Sequence, residues 1–265
     1  MNPSPVRVLP PCGHPVTGGT GAAPTGRPRR PRPFSRPPLA MAAVAAAITG
    51  AGLLLPGAAS ALPMGHHESW MLMLDSTPAS RSFAANYAVA QTWAPGLTLR
   101  RWDEPAAHGA TVLRESAGLS LTHRLHRWNL PHAQANLWLV GDAGQLRRAG
   151  GHGRSAGEGG YGALAFMADY ETTRVYLGGN LKLLRGGGQL RHDVARLRTG
   201  FAFWEPEYEG TQPWFIVEAE RTRYSPGSMR EGTLLTPMLR LIHRRWFVEL
   251  GVNRDGGMFN LMFNH

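Results

Sequence analysis

A two-residue alternation of apolar and polar side chains recurs along residues 62–265 and constrains the fold more than any other feature. The clearest examples are residues 175–183, with Val175, Leu177, Leu181 and Leu183, and residues 259–263, with Phe259, Leu261 and Phe263. Successive side chains of a β-strand point to opposite faces, so alternation over a whole chain predicts an all-β fold. No window has the i, i+3, i+4 spacing of an amphipathic helix, and no apolar run is long enough for a transmembrane helix.

Turn-forming residues divide this region into about twelve predicted strands. The predicted segments are 68–75, 81–93, 97–103, 111–128, 133–147, 160–170, 172–184, 191–205, 213–224, 231–243, 245–254 and 257–264. An even number of strands suits an antiparallel up-and-down transmembrane β-barrel with both chain ends at one rim. Residues 62–265 are therefore expected to form one β-barrel domain.

The tryptophans and tyrosines lie beside alternate connections between the predicted strands. This set comprises Trp70, Trp93, Trp128, Tyr170, Trp204, Trp214 and Trp246. Alternate turns of an up-and-down barrel share a rim, so these residues predict one aromatic girdle at a membrane interface.

Residues 1–61 differ from the rest and predict a disordered extension followed by a secretory signal peptide. Arginines precede an alanine-rich apolar run, Met41 to Leu55, and Ala59-Ser60-Ala61 fits a cleavage site. These residues hold six of the 28 basic residues and none of the 18 acidic ones, so residues 62–265 carry 28 − 6 − 18 = +4 of the net charge of +10. Global charge therefore does not argue for a nucleic-acid partner. Cys12 is the only cysteine and lies in this leader.

The leader, the alternating strands, the aromatic rim and the C-terminal run GGMFNLMFNH together resemble small bacterial outer-membrane β-barrels. The resemblance implies an outer-membrane location, outer-membrane lipid as surroundings, and the barrel-assembly machinery as a partner. That machinery recognises a final strand ending on Phe, whereas this chain ends on Phe263-Asn264-His265.

The polar face of each predicted strand would line the lumen, and it carries charges of both signs. These are Arg114, Arg124, Arg174, Lys182, Arg196, Arg198, Arg240, Asp75, Asp142, Asp169, Glu218, Glu220 and Glu249. A hairpin closed by residues 205–213 would place Arg198 near Glu220. The charges form either a polar path for a charged solute or, as we favour, pairs that fill a narrow barrel.

Methionine and histidine suggest a site for a soft metal ion. Met71 and Met73 share one face of the first strand, Met258 and Met262 share one face of the last, and Met64, His66 and His67 precede them. Barrel closure would make the first and last strands neighbours, with Met167 and Met238 facing the same interior. Thioether and imidazole ligands suit Cu(I) or Ag(I). The alternative is that methionine fills irregular space. His123 and His126 are predicted on opposite faces of one strand and so excluded as a ligand pair.

No cofactor is required by any of these patterns, and we expect no enzymatic activity. His67 and Ser69 have the His-x-Ser spacing of outer-membrane phospholipases. In those enzymes the motif continues with Asn-Gly after the serine, whereas Trp70 and Met71 follow here. The leading hypothesis is a barrel for passage or handling of a small solute, with copper or silver tolerance as its sharpest form. The alternatives are a structural or adhesive barrel with a filled lumen and a soluble periplasmic domain resembling a lipocalin.

Overall fold

The computed structural model describes residues 63–105, 111–149, 158–187, 190–205, 210–225 and 233–265. The predicted signal peptide and Cys12 lie outside these residues. Among the residues described, no helix is long and apolar enough to cross a membrane.

Twelve antiparallel strands form one closed ring in which each strand pairs with its neighbours in sequence. They are β1 (Trp70–Ser76), β2 (Ser80–Tyr87), β3 (Trp93–Pro105), β4 (Thr111–Leu130), β5 (Ala133–Arg148), β6 (Gly159–Thr172), β7 (Val175–Gly186), β8 (Arg191–Ala202), β9 (Gln212–Ser225), β10 (Leu234–His243), β11 (Trp246–Asn253) and β12 (Gly256–Asn264). The prediction of an up-and-down barrel is confirmed. Closure leaves no sheet edge with unpaired backbone groups.

The barrel closes where β1 pairs with β12. Met73 lies opposite Met262 in this register, and Leu72 lies opposite Phe263. The backbone amides of Trp70 and His265 each donate to the carbonyl oxygen of the other, at 2.8 Å. This seam defines the terminal rim, which also carries the turns after β2, β4, β6, β8 and β10; the opposite end is the far rim.

The outer face of the barrel carries a band of exposed apolar side chains. Leu119 is 69% exposed and Leu197 57%, and a continuous apolar band of this kind around a closed barrel is typical of a surface that lipid covers. Towards the far rim the outward side chains become charged, as in the Arg101, Glu115 and Arg147 group. No part of the described chain covers the band, which is at odds with a soluble carrier whose apolar faces are buried by protein.

The aromatic girdle is confirmed for six of the seven predicted residues. These are Trp70, Trp93, Trp128, Tyr170, Trp204 and Trp246, all outward and well exposed beside the terminal rim. The prediction was wrong for Trp214, which is 1% exposed. Trp214 pairs with Ala202 and Arg240 in register, and its parity on β9 turns it into the lumen.

The turn between β2 and β3 was predicted at residues 94–96, because Pro95-Gly96 is a typical turn sequence. This prediction was wrong. The structure places the turn at residues 88–92 and keeps Pro95 and Gly96 inside β3. Backbone hydrogen bonds in both directions between Ala90 and Trp93 close the turn. Gly96 serves packing instead, since a Cβ there would lie 2.0 Å from Asn86 Oδ1.

A β-bulge in β4 overturns the prediction that His123 and His126 lie on opposite faces. The register with β5 shifts between Arg124 and His126, so Leu125 is an extra residue. His123 and His126 therefore both face outward. His123 stacks on Trp93 at 3.8 Å, and His126 contacts Trp128 at 4.2 Å between ring centroids. A one-residue insertion reverses the side-chain parity of everything that follows it.

Candidate functional site: the barrel lumen

Apolar side chains fill the lumen near the terminal rim. They form three clusters: Met64, Ala88, Ala94 and Trp138; Tyr176, Ala202, Trp214, Ile216, Met238 and Met258; and Met71, Phe247 and Met262. Trp138 and Ile216 are fully buried. These clusters occupy space that an open pore would leave to water.

The segment before β1 enters the lumen from the terminal rim. Met64 is 1% exposed and packs against Trp138 and Ala94. Asn86 Nδ2 donates to the carbonyl oxygen of Pro63 at 3.1 Å. Gly65 fits tightly against the last strand, because a Cβ there would lie 2.3 Å from Asn264 Oδ1. We call residues 63–65 the inserted segment; it blocks one end of the lumen without being a strand.

A group of ion pairs, the ion-pair ladder, crosses the lumen on β8 to β11; four residues form one connected chain, and the Arg196–Glu220 pair lies beside it. Its members are Arg196, Arg198, Glu218, Glu220, Arg240 and Glu249. Arg240 Nε lies 2.9 Å from Glu249 Oε1, and both side chains are fully buried. Glu249 Oε2 also accepts from Arg198 Nη1 at 3.3 Å, which links the pairs.

Aromatic rings extend the ladder at Arg240. The guanidinium carbon lies 4.3 Å from the centroid of Tyr176 and 4.7 Å from that of Phe247. Two ring faces and one carboxylate surround this cation, which compensates for its removal from water.

A second polar group lies on β3, β5 and β6. Asp142 Oδ1 accepts hydrogen bonds from Thr98 Oγ1 at 3.0 Å and from Tyr161 at 2.8 Å. Arg100 Nη2 lies 2.5 Å from Asp142 Oδ2. Three protein groups therefore contact the carboxylate of Asp142.

A cavity of about 170 Å³ with charged and apolar side chains in its lining extends from the ladder to the far rim. It reaches the β1–β2 turn at Thr77 and the β11–β12 turn at Asp255. Charged lining residues include Asp75, Arg100, Lys182, Arg196, Glu218 and Glu220. We call this space the outer cavity.

Most predicted lumen charges are confirmed, with two corrections. Arg198 pairs with Glu218, and it is Arg196 that pairs with Glu220, each at 2.6 Å. The hairpin is two residues out of the predicted register because β8 ends at Ala202 and its connection is longer than assumed. Arg174 does not face the lumen; it lies in the exposed β6–β7 turn and donates to the Phe203 carbonyl oxygen.

Several charged residues of the lumen were not predicted from the sequence. Arg100 and Glu104 lie on the even face of β3, and Arg127 enters the lumen only because of the bulge in β4. Extending the alternation of β3 to Glu104 would have found the first two. Nothing in the alternation signals Arg127.

The structure brings together some of the predicted metal-site residues. Met71, Met73 and Met262 lie in one cluster with Phe247. Met258 lies in the next cluster with Met238, and Met64 lies apart beside Trp138 and Met167. His66 and His67 are exposed and outside these clusters. Metal coordination by the three clustered thioethers stays a prediction.

Two further observations bear on chemistry in this region. Among the residues described, no group of three or more His, Cys, Asp or Glu side chains could hold a metal ion. Ser69 Oγ donates to the carbonyl oxygen of His66, while the His67 side chain is exposed. Ser69 and His67 are thus not hydrogen-bonded to each other as a nucleophile and base would be.

The closed ring, the exposed apolar band, the aromatic girdle and the polar lumen define a class: the small bacterial outer-membrane β-barrels. No protein-family model and no curated protein sequence matches the chain.

Matches among solved structures include the following two. The KdgM porin in complex with disordered oligogalacturonate has 7% sequence identity and a TM-score of 0.39, and the match covers 74% of this chain and 98% of the porin. A protein solved in work on in-meso crystallisation of membrane proteins has 8% identity and a TM-score of 0.38, and covers 76% and 83% of the two chains. At these identities and TM-scores the likeness carries no argument about this chain.

Proposed function

We propose that this protein is a non-enzymatic outer-membrane barrel that admits a small polar solute through its far rim and controls passage at its terminal rim. The observation that carries the proposal is the contrast between the two halves of the lumen. The outer cavity reaches the far rim and is lined by charged side chains beside an apolar cluster that includes Trp102 and Leu184. Apolar side chains and the inserted segment fill the opposite end and leave no comparable cavity in the described residues. A barrel that served only as a rigid scaffold would not need the outer cavity.

The far rim would face the cell exterior. Three of the five turns at the terminal rim, β4–β5, β6–β7 and β10–β11, have two residues between the strands, whereas the β2–β3 turn has five and the β8–β9 connection has nine. The longest connection, residues 149–158 between β5 and β6, lies at the far rim. The aromatic girdle lies at the terminal rim. Short turns at the periplasmic side and longer loops outside are typical of outer-membrane barrels, so solute would enter the outer cavity from outside.

The inserted segment is the element best suited to act as a gate. It adds no strand to the barrel, and the contacts that hold it are the packing of Met64 and the hydrogen bond from Asn86 to Pro63. Burial of one methionine side chain contributes about 1.5–3 kcal/mol. Withdrawal of the segment would therefore cost little compared with unfolding of the barrel.

Single-channel recording in planar bilayers tests this proposal. Met64→Asp should withdraw the segment, because a carboxylate against Trp138 would be buried without a partner. We expect this variant to show a larger open fraction than the wild type. Met64→Leu keeps an apolar side chain of similar volume and should behave like the wild type.

Two results would count against the proposal. If neither the wild type nor Met64→Asp conducts, while both migrate as folded barrels on unboiled gels, the lumen is permanently filled. That result would support the structural or adhesive alternative. If Met64→Leu opens as much as Met64→Asp, the segment is not held by apolar packing.

A further inference from the structure

Most charges at the outer cavity are already paired with protein groups. Arg196 is paired with Glu220, Glu218 with Arg198, and Arg100 with Asp142. The first two pairs join the neighbouring strands β8 and β9, and the third joins β3 to β5. Most of the charge of these groups is compensated within the wall, and Nη1 of Arg100 is buried without a hydrogen-bond partner in the described residues.

Two charged groups of the cavity differ from these. Asp75 on β1 and Lys182 on β7 line the cavity, and within the described residues neither makes a direct hydrogen bond or a contact ion pair. Their charged neighbours act from a distance: Arg196 and Arg198 on Asp75, and Asp142 and Asp75 on Lys182. A third group lies two residues from Lys182: the buried Oδ1 of Asn180 has no hydrogen-bond partner in the described structure. Charges and amides removed from bulk water are normally paired, so groups left unpaired in a cavity indicate a ligand.

The two unpaired charges lie on opposite walls. The ring of twelve strands places β7 six positions from β1 in either direction. Their side chains share one cavity but do not form an ion pair with each other. A gap therefore separates a carboxylate from an ammonium group, and a solute can occupy it.

We propose that the outer cavity binds a small zwitterionic solute, with its cationic group at Asp75 and its anionic group at Lys182. This inference rests on the proposed function, since it names the class of solute that the barrel takes up. A lone anion would satisfy Lys182 and leave Asp75 unpaired, and a lone cation would do the reverse. A solute with both charges compensates both walls at once.

The rest of the lining suits a short aliphatic body between the two charges. His192 stacks on Tyr224 at 4.5 Å and lies 5.6 Å from Trp102. Val194 and Met258 add apolar surface. The cavity volume of about 170 Å³ suits a molecule of amino-acid size.

Titration calorimetry tests the inference. It measures the binding of 4-aminobutanoate to the purified, folded barrel in detergent. The comparison probes are butanoate and butylammonium, which each keep one charge on a similar body. We expect 4-aminobutanoate to bind at least about tenfold more tightly than either probe, the equivalent of one ion pair of about 1.4 kcal/mol.

The variants Asp75→Asn and Lys182→Met separate the two ends. Each should weaken binding of 4-aminobutanoate at least about tenfold. Asp75→Asn should leave butanoate binding unchanged, and Lys182→Met should leave butylammonium binding unchanged. Arg147→Met removes a charge from the outer face and should change nothing. Gel migration of unboiled samples shows that every variant is folded.

Equal affinity for 4-aminobutanoate in the wild type and both variants would overturn the inference, as would equal affinity for butanoate and 4-aminobutanoate. Failure here is distinguishable from failure of the proposed function. If Met64→Asp opens the barrel but the substitutions at Asp75 and Lys182 do not change binding, the proposed channel function is supported and the proposed solute class is wrong. If the zwitterion binds as expected but no variant conducts, the solute site stands and passage is wrong.

Discussion

At the scale of single residues, burial determines which charges matter for stability. Arg240 and Glu249 are fully buried and contact each other at 2.8 Å, whereas the Arg147 side chain is 77% exposed beside Glu115. Removing one partner of a buried pair leaves an uncompensated charge, while an exposed pair is already solvated. Two arginine–glutamate pairs in one barrel should thus respond very differently to the same substitution.

We expect Arg240→Met to lower the free energy of unfolding by about 3–5 kcal/mol, because Glu249 would lose its main partner. Arg147→Met is the matched control and should change the free energy of unfolding by less than about 1 kcal/mol. Urea unfolding in lipid vesicles, followed by tryptophan fluorescence, measures both. Similar losses in the two variants would contradict the role given to burial.

At the scale of strands, close approach of backbones limits which positions accept a side chain. Gly141 and Gly144 lie three residues apart on β5. A Cβ at Gly144 would lie 2.1 Å from the Ala117 carbonyl oxygen and 2.4 Å from Gly118 Cα, whereas a Cβ at Gly141 has nothing within 4 Å. The crowding atoms are backbone atoms of β4, so a side-chain rotation cannot relieve them.

Gly144→Ala should therefore destabilise the barrel by about 1–3 kcal/mol through overpacking between β4 and β5. Gly141→Ala, on the outward face of the same strand, should be close to neutral. The temperature at which unboiled samples lose their folded migration on gels compares the two. A larger loss for Gly141→Ala than for Gly144→Ala would show that the packing of this strand pair is misassigned.

At the scale of the whole molecule, the two rims differ in a way that sets the orientation in the membrane. The terminal rim has the exposed aromatic girdle and short turns, and the far rim has outward charges and the outer cavity. The apolar band between them is the surface that lipid would cover. Orientation follows from this asymmetry, and the proposed uptake from outside depends on it.

Cysteine labelling in intact cells measures the orientation, since the only cysteine of the chain, Cys12, lies in the predicted leader. Arg254→Cys places a thiol in the β11–β12 turn, and His132→Cys places one in the β4–β5 turn. A membrane-impermeant maleimide should label Arg254→Cys in intact cells and His132→Cys only after permeabilisation. The reverse labelling pattern would show that the barrel has the opposite orientation. Equal labelling of the two variants in intact cells would argue against an outer-membrane location.

The sequence by itself determined the number of strands, most of their faces and six of the seven girdle residues, since these follow from alternation and from turn residues. Period two is a local property, and it places Arg198, Glu218 and Glu249 in the lumen without any knowledge of their neighbours.

Only the tertiary structure decided which groups meet. Arg198 pairs with Glu218 and not Glu220 because the register depends on where β8 ends. The bulge at Leu125 turns His126 outward, and parity on β9 turns Trp214 inward. The insertion of Met64 and the unpaired state of Asp75 and Lys182 depend on barrel closure. Alternation specifies the face of a residue, but contacts across a lumen depend on register, tilt and closure, which no local pattern contains.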